Sequence, residues 1–314
     1  MNPVFKITAI TIFSMMILFT GILFGQNQTN QPNKNDSRSL VEENIKSEVW
    51  FTVTSVADKV WRIDDHGADN MYLIEGEKKA FLIDTGTGMA DLAGCIKSIT
   101  QLPLIVVNTH GHPDHCGSNH QFEEVYANPL DFELIRQFDS KEYNLNAIQL
   151  QLKSQPDMAS FIVQDTANFK TASLLPIQAG YVFALGNRNL EVIEVPGHTL
   201  GSICLLDAQN KLLFTGDNDN VLVWLFLDGC LPLDSYLETL LRLKLRAGEF
   251  DTLMPGHGFP LDAAFIDEQI ACVQNILSGA CRGEDYKSFA GTAKLCTYKR
   301  AGVAFNPDNL YTKQ

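Results

Sequence analysis

Positive charge is scarce in this sequence. Its 24 Lys and Arg stand against 37 Asp and Glu, a net charge of −13. Affinity for nucleic acid comes mainly from Lys and Arg displacing phosphate counterions, so nucleic acid is not expected as a partner. No C-x-x-C pair occurs, and the cysteines number an odd seven: Cys95, Cys116, Cys204, Cys230, Cys272, Cys281 and Cys296. Neither a disulfide framework nor a thiolate zinc knuckle is expected from that pattern, and the set reads as mostly buried thiols. Internal repeats and low-complexity segments are missing from about residue 49 onward. Charged residues make up only 19% against 45% hydrophobic, which excludes disorder for the bulk of the chain. At 314 residues the chain has room for a sizeable core, and nothing marks a linker between two domains.

The N-terminus has a long apolar run. Residues Ile7 to Phe24 carry no charge and follow Lys6, which matches the basic and apolar regions of an export signal. No clean small-x-small cleavage site follows, and the run approaches the ~20 residues that span a bilayer, so a cleaved signal and an uncleaved membrane anchor both stay open over 1–25. Either reading expects an exported protein, periplasmic, secreted or anchored. Residues 26–45 read as a flexible linker. A single domain is expected over 46–280, with a C-terminal extension over 281–314 packing on it.

Within the body, Val49, Phe51 and Val53 alternate with Trp50, Thr52 and Thr54, and the runs Met71–Ile74 and Ala80–Ile83 flank a turn. A helix is expected from Asp91, with Leu92, Cys95, Ile96 and Ile99 on one face. Ser235 and Glu238 fit a capping box, followed by Leu237, Leu240, Leu241 and Leu245 on one face. Another helix is expected from about Ala263, carrying Ile266, Ile270, Val273 and Leu277. Residues Asn128 to Gly180 read as a mainly helical insertion. Strands alternating with helices predict an α/β layered fold.

The histidines carry the chemistry. Thr109-His110-Gly111-His112-Pro113-Asp114-His115 directly follows the apolar run Leu104–Val107. Three more apolar runs end on Pro196-Gly197-His198, Thr215-Gly216-Asp217 and Pro255-Gly256-His257. Four strand ends thus deliver imidazole nitrogen and carboxylate oxygen, the donors of zinc and similar divalent ions. Five imidazoles and two carboxylates exceed what one tetrahedral ion takes and suit two ions sharing a bridging group.

These residues resemble the metallo-β-lactamase-fold hydrolase superfamily, whose succession of motifs appears here in order: Ile83-Asp84-Thr85-Gly86, then T-H-G-H-P-D-H, P-G-H-T, F-T-G-D and P-G-H-G. The resemblance implies a four-layer αββα sandwich with metals at one edge between the sheets. It implies that His110, His112 and His198 hold a first metal, that Asp114, His115 and His257 hold a second, and that Asp217 bridges them. Two zinc ions are the implied cofactors, though iron or manganese would suit the same donors. Zinc β-lactamases place cysteine or serine where Asp217 stands, so the ligand set is closer to glyoxalase II and lactonases. The implied reaction is attack by a metal-bridging hydroxide on an ester, lactone, thioester or amide, with Asp114 also orienting the hydroxide. A mononuclear iron oxidoreductase of the persulfide-dioxygenase type and a β-lactamase are the alternatives.

Around these donors, Asp84 is expected to support a ligand imidazole. Cys116 reads as a buried thiol, His66 as a solvent-exposed turn residue and His120 as helical and structural. The run Val221–Leu227 with Trp224 reads equally as a pocket wall or as core. The expected partner is a small-molecule substrate, selected by the insertion and by the loops after Asp217. Oligomeric state has no signature in the sequence.

Overall fold

The computed structural model describes residues 50–162 and 169–313. The apolar segment, the linker and Val49 lie outside the described residues. Among the described residues no helix is long and apolar enough to cross a membrane.

Chain order builds the first sheet from β1 (Phe51–Ala57), β2 (Val60–Asp65), β3 (Asn70–Glu75) and β4 (Ala80–Ile83), each antiparallel to its neighbour. Helix α1 (Leu92–Ile99), capped by Asp91 accepting from the Gly94 amide, then carries the chain to β5 (Leu104–Val107), which pairs parallel to β4. Helix α2 (Pro113–Cys116) leads to β6 (Glu124–Ala127). Helices α3 (Phe132–Phe138) and α4 (Lys141–Ser154) fill most of the insertion as expected, and β7 (Ser173–Pro176) closes the sheet edge. The short β7 was not expected from the sequence; it has four residues and ends in a proline that only a sheet edge tolerates.

The second sheet takes β8 (Val182–Ala184), β9 (Asn189–Glu194), β10 (Ile203–Asp207) and β11 (Leu212–Gly216). The chain then leaves it for β12 (Leu222–Leu225) and helix α5 (Leu233–Lys244), and returns for β13 (Thr252–Pro255) and β14 (Leu261–Asp262). Helix α6 (Phe265–Leu277) precedes β15 (Glu284–Ser288), β16 (Gly291–Tyr298) and β17 (Ala301–Phe305), which join β12 in a third, four-stranded sheet.

Period-two side-chain alternation sorts these strands into layers. Tyr72, Ile74, Phe81 and Ile83 face Val192, Leu205, Phe214 and Met254 across the space between the two large sheets. Their alternates Met71, Leu73 and Leu82 pack on Leu92 and Ile96 of α1. On the far side, Leu206, Leu213 and Leu253 pack on Leu240, Phe265 and Val273 of α5 and α6. The result is the expected four-layer αββα sandwich.

Two expectations fail. Helix α5 starts at Leu233 rather than at a Ser235 cap, and it buries Leu233, Tyr236, Leu240 and Leu243, leaving Leu241 exposed and Leu245 88% exposed. Tyr236 decides the face: its hydroxyl donates to the Asn218 carbonyl beside the ligand loop, and a tertiary bond overrides the leucine pattern. Asp234 occupies the first turn and accepts instead from Thr312 and Ser235. The cysteines also do not all stay thiols, because Cys281 and Cys296 form a disulfide between the end of α6 and β16. Cys116, Cys204 and Cys272 are buried thiols, while Cys95 and Cys230 are half-buried.

The disulfide closes a loop across a sequence separation of 15 residues, for which loop entropy contributes about 3 kcal/mol. Replacing Cys281 and Cys296 together by serine is expected to lower the unfolding free energy by up to about that amount in denaturant titrations. Reductant should then shift the wild-type midpoint and leave the double variant where it is.

Candidate metal centre

Four strand ends converge on one point. The end of β5 supplies His110, His112, Asp114 and His115, the end of β9 supplies His198, the end of β11 supplies Asp217, and the end of β13 supplies His257. Their donor atoms fall into overlapping groups, His110 with His112 and His198, His110 with His115 and Asp217, and Asp114 with His115 and His257, each within 4.8 Å. All seven residues expected as ligands are therefore brought together. Asp217 stands between the groups: Oδ1 lies 3.4 Å from His115 Nε2, and Oδ2 lies 3.1 Å from His257 Nε2 and 3.6 Å from His198 Nε2. Glycine is required here, since a Cβ on Gly256 would come within 2.6 Å of Asp217 Oδ1.

Hydrogen bonds behind the donors fix which ring nitrogen faces inward. Asp84 accepts from the Thr109 amide at 2.7 Å and from the Thr109 hydroxyl at 2.8 Å, and its Oδ2 lies 3.0 Å from His115 Nδ1. With its proton given to Asp84, the Thr109 oxygen can only accept from His110 Nδ1, 3.1 Å away. One carboxylate thus orients two imidazoles, directly and through a hydroxyl, and leaves both Nε2 atoms bare. Asp84 holds this position at a left-handed φ of 62°, a strained conformation that its three bonds overcome. His198 Nδ1 donates to the Trp224 carbonyl at 2.7 Å, which turns its Nε2 inward, 2.8 Å from His112 Nδ1.

Several positioning residues had no signal of their own in the sequence reading. Asp131 accepts from the Gly111 and Gly201 amides and the Thr199 hydroxyl, tying the His110–His112 loop to the His198 loop. It sits just past the end of β6, the same strand-end position that singled out the ligands. Asn70 donates to the carbonyls of Pro255 and Gly258, and Tyr72 to that of Pro255, which pins the His257 loop to the first sheet. Of the remaining expectations, Cys116 is buried, with its thiol toward the Gly111 carbonyl and outside the donor groups. His120 lies in a short helical turn, donating from Nδ1 to the Gly117 carbonyl and stacked on Phe169. His66 is half-buried rather than solvent-exposed, because it stacks on Trp50 at 4.8 Å.

The donors fit a divalent cation. His110 Nε2, His115 Nε2 and Asp217 Oδ1 are buried without a hydrogen-bond partner, a cost of about 1–3 kcal/mol for each such atom that a cation would remove. Burial and neighbouring imidazoles push His110 well down and His112 to about 3, so both are neutral donors. Burial alone would raise Asp114, but His115 and His257 outweigh it and bring it to about 2. Asp217 falls well below the carboxylate range against the same burial, through His257 and His115. Burial opposes charge on His115 and His257, yet Asp217 and Asp114 raise both well above the ordinary imidazole value.

Residues 65–257, more than half of the chain, match the family model described as the metallo-beta-lactamase superfamily. The chain belongs to this superfamily. It is an enzyme, a metal-dependent hydrolase. It is 29% identical over 231 residues to an acyl-coenzyme A thioesterase, MBLAC2, of Bos taurus, covering 66% of this chain and 81% of that protein. It is 26% identical over 145 residues to the hydroxyacylglutathione hydrolase GloC of Haemophilus influenzae, covering 46% of this chain and 62% of that protein. Among solved structures, a metallo-beta-lactamase from Pontibacter korlensis superimposes with a TM-score of 0.53 at 22% identity, covering 72% of this chain and 99% of the other, a likeness of fold.

Two outcomes test the electrostatics. Asp217 and Asp114 favour the protonated form of His115 and His257, and a ligand nitrogen must be free of its proton, so metal binding should release protons and weaken as pH falls. Calorimetry in buffers of different ionisation enthalpy measures this, and heats independent of buffer would contradict it. Asp84→Asn should fold, because asparagine tolerates the left-handed backbone, and should bind metal about 10–100-fold more weakly in chelator competition.

Proposed function

We propose that the chain is a dinuclear zinc hydrolase of carbonyl substrates, with thioesters foremost among esters, lactones, thioesters and amides. The observation that carries this reading is the carboxylate of Asp217, whose two oxygens reach toward both donor groups. His110, His112 and His198 would hold one ion, Asp114, His115 and His257 the other, and Asp217 would bridge them. When bound, the ions would supply a water of lowered pKa and draw charge from the substrate carbonyl. A relative named as a thioesterase supports the choice of substrate.

The chain's own residues supply the rest. Asp114 borders both cavities beside the centre, and its Oδ2 lies 3.4 Å from His257 Nε2. From there its carboxylate orients the attacking water, accepts its proton and returns it to the leaving sulfur. Water thereby adds hydroxyl to the acyl carbon, the C–S bond breaks, and the products are a carboxylic acid and a thiol. The second donor group favours this reading over a mononuclear iron oxygenase, which needs only one. Neither cavity has a Lys or Arg among its lining residues to receive the carboxylate of a β-lactam, which places that alternative further back. Export remains part of the proposal, supported by the Cys281–Cys296 disulfide, a bond that persists in oxidising compartments.

Metal analysis of the purified protein should find about two zinc ions per chain, whereas one iron with oxygen consumption would favour the oxygenase. Asp217→Asn is expected to keep its circular dichroism, lose metal and lose more thioester hydrolysis than the about 10–100-fold typical of outer partners. Unchanged turnover in that variant would sink the bridging role.

A further inference from the structure

The two cavities beside the metal centre share a wall. The first, of about 240 Å³, reaches His112 and His198, and the second, of about 290 Å³, reaches His257. Trp224 and Phe289 border both, with ring centres 5.3 Å apart. Trp224 lies on β12, a few residues past Asp217, and its carbonyl also orients His198. Phe289 lies at the tip of the β15–β16 hairpin, where Ser288 pairs with Gly291. That hairpin follows residue 257, where the family match ends, so its tip adds to the shared machinery rather than belonging to it. It is held firmly: β16 pairs with β17, β17 pairs with β12, and Cys296 of β16 is bonded to Cys281. A wall carried this way keeps its place while substrate enters.

The two sides differ in chemistry. Leu134, Phe138, Phe226 and Leu227 line the first cavity, and apart from the metal-centre residues only Gln137 and Asp228 are polar there. Away from the metal-centre residues, an anionic group inside would meet Asp228 and no Lys or Arg, at a desolvation cost. An uncharged apolar group suits it. A cavity of about 150 Å³ holds benzene, so this one takes an alkyl or aryl group of about eight to ten carbons. The second cavity adds Asn220, Ser288 and Tyr286, polar but uncharged groups suited to a neutral polar arm.

We infer that Phe289, packed at a tilt against Trp224, makes the C-terminal hairpin the specificity element of the enzyme, dividing the mouth into an acyl chamber for an uncharged medium-length group and a second chamber for a neutral leaving arm. The inference rests on the thioester reading proposed above. Insertion residues of α3 supply one side of the acyl chamber, and the hairpin supplies the side that the sequence did not mark.

The test uses zinc-loaded protein and N-acetylcysteamine thioesters from acetyl to hexadecanoyl. Each buried methylene is worth roughly fourfold, so kcat/KM should rise at least about tenfold from acetyl to octanoyl and then level off. Ala290 borders the acyl chamber only, and Ala290→Phe should cut octanoyl turnover at least about tenfold more than acetyl turnover. Val221 borders the second chamber only, and Val221→Phe should lower the whole series by a common factor. Phe289→Ala should flatten the chain-length preference. A readout without turnover is quenching of tryptophan fluorescence by 8-bromooctanamide, expected in the wild type and lost in Trp224→Phe and Ala290→Phe. Hydrolysis with equal rates along the series, or a preference untouched by Ala290→Phe, overturns the chamber assignment. Bromoamide binding with no hydrolysis of any thioester overturns the thioester reading and leaves the chamber standing.

Discussion

The two innermost imidazoles of the metal centre, His110 and His115, depend on one buried carboxylate that touches no inward-facing atom. Asp84 sits at the end of β4 in a left-handed conformation and accepts from the Thr109 amide, the Thr109 hydroxyl and His115 Nδ1. By taking the outer protons it leaves His110 Nε2 and His115 Nε2 bare and buried, a state that costs energy until a cation satisfies it. Rotation would cost His115 a charge-assisted bond to Asp84 and His110 its bond to the Thr109 hydroxyl, so both donors are held ready before metal arrives.

The surrounding fold holds that arrangement from several sides. Asp131 joins two ligand loops through backbone amides, and Asn70 and Tyr72 join a third to the opposite sheet. These bonds tie together segments whose flanking strands the core between the sheets already fixes in place. The third sheet has a different task. It supplies no ligand of its own, but it orients His198 through the Trp224 carbonyl on β12 and shapes the space above the donors through the Trp224 and Phe289 rings. Metal binding and substrate choice thus meet at Trp224, whose carbonyl holds His198 while its ring walls the substrate space, on a strand that the C-terminal β17 holds in place.

Much of this was legible from residues close together in sequence. Apolar runs ending in Gly or Pro before His or Asp marked four strand ends, because a buried strand and a tight turn each have local signatures. Helix α1 was equally clear, since Asp91 caps it from three residues away. The start of α5 was misread because Ser235 and Glu238 fit a cap, whereas the first amides of the helix, those of Leu233 and Asp234, donate to the carbonyls of Asn309 and Leu310 in the distant C-terminal segment. The disulfide escaped notice because an odd cysteine count carries no pairing information, and only the return of β16 beside α6 brings Cys281 and Cys296 together. His66 looked exposed because its partner Trp50 lies across a strand pair.

Residue types and their order along the chain were enough to establish the donor set, since imidazole and carboxylate chemistry is carried by each side chain wherever it sits. Which nitrogen of each ring faces the centre, and that Phe289 joins Trp224 in walling the substrate space, were decided only by the folded chain. The reason is distance in sequence. His115 takes its tautomer from a carboxylate 31 residues away and His198 from a carbonyl 26 residues away, partners that local sequence does not specify. Trp224 and Phe289, which divide the mouth of the site, meet only because β12 and the C-terminal strands share a sheet.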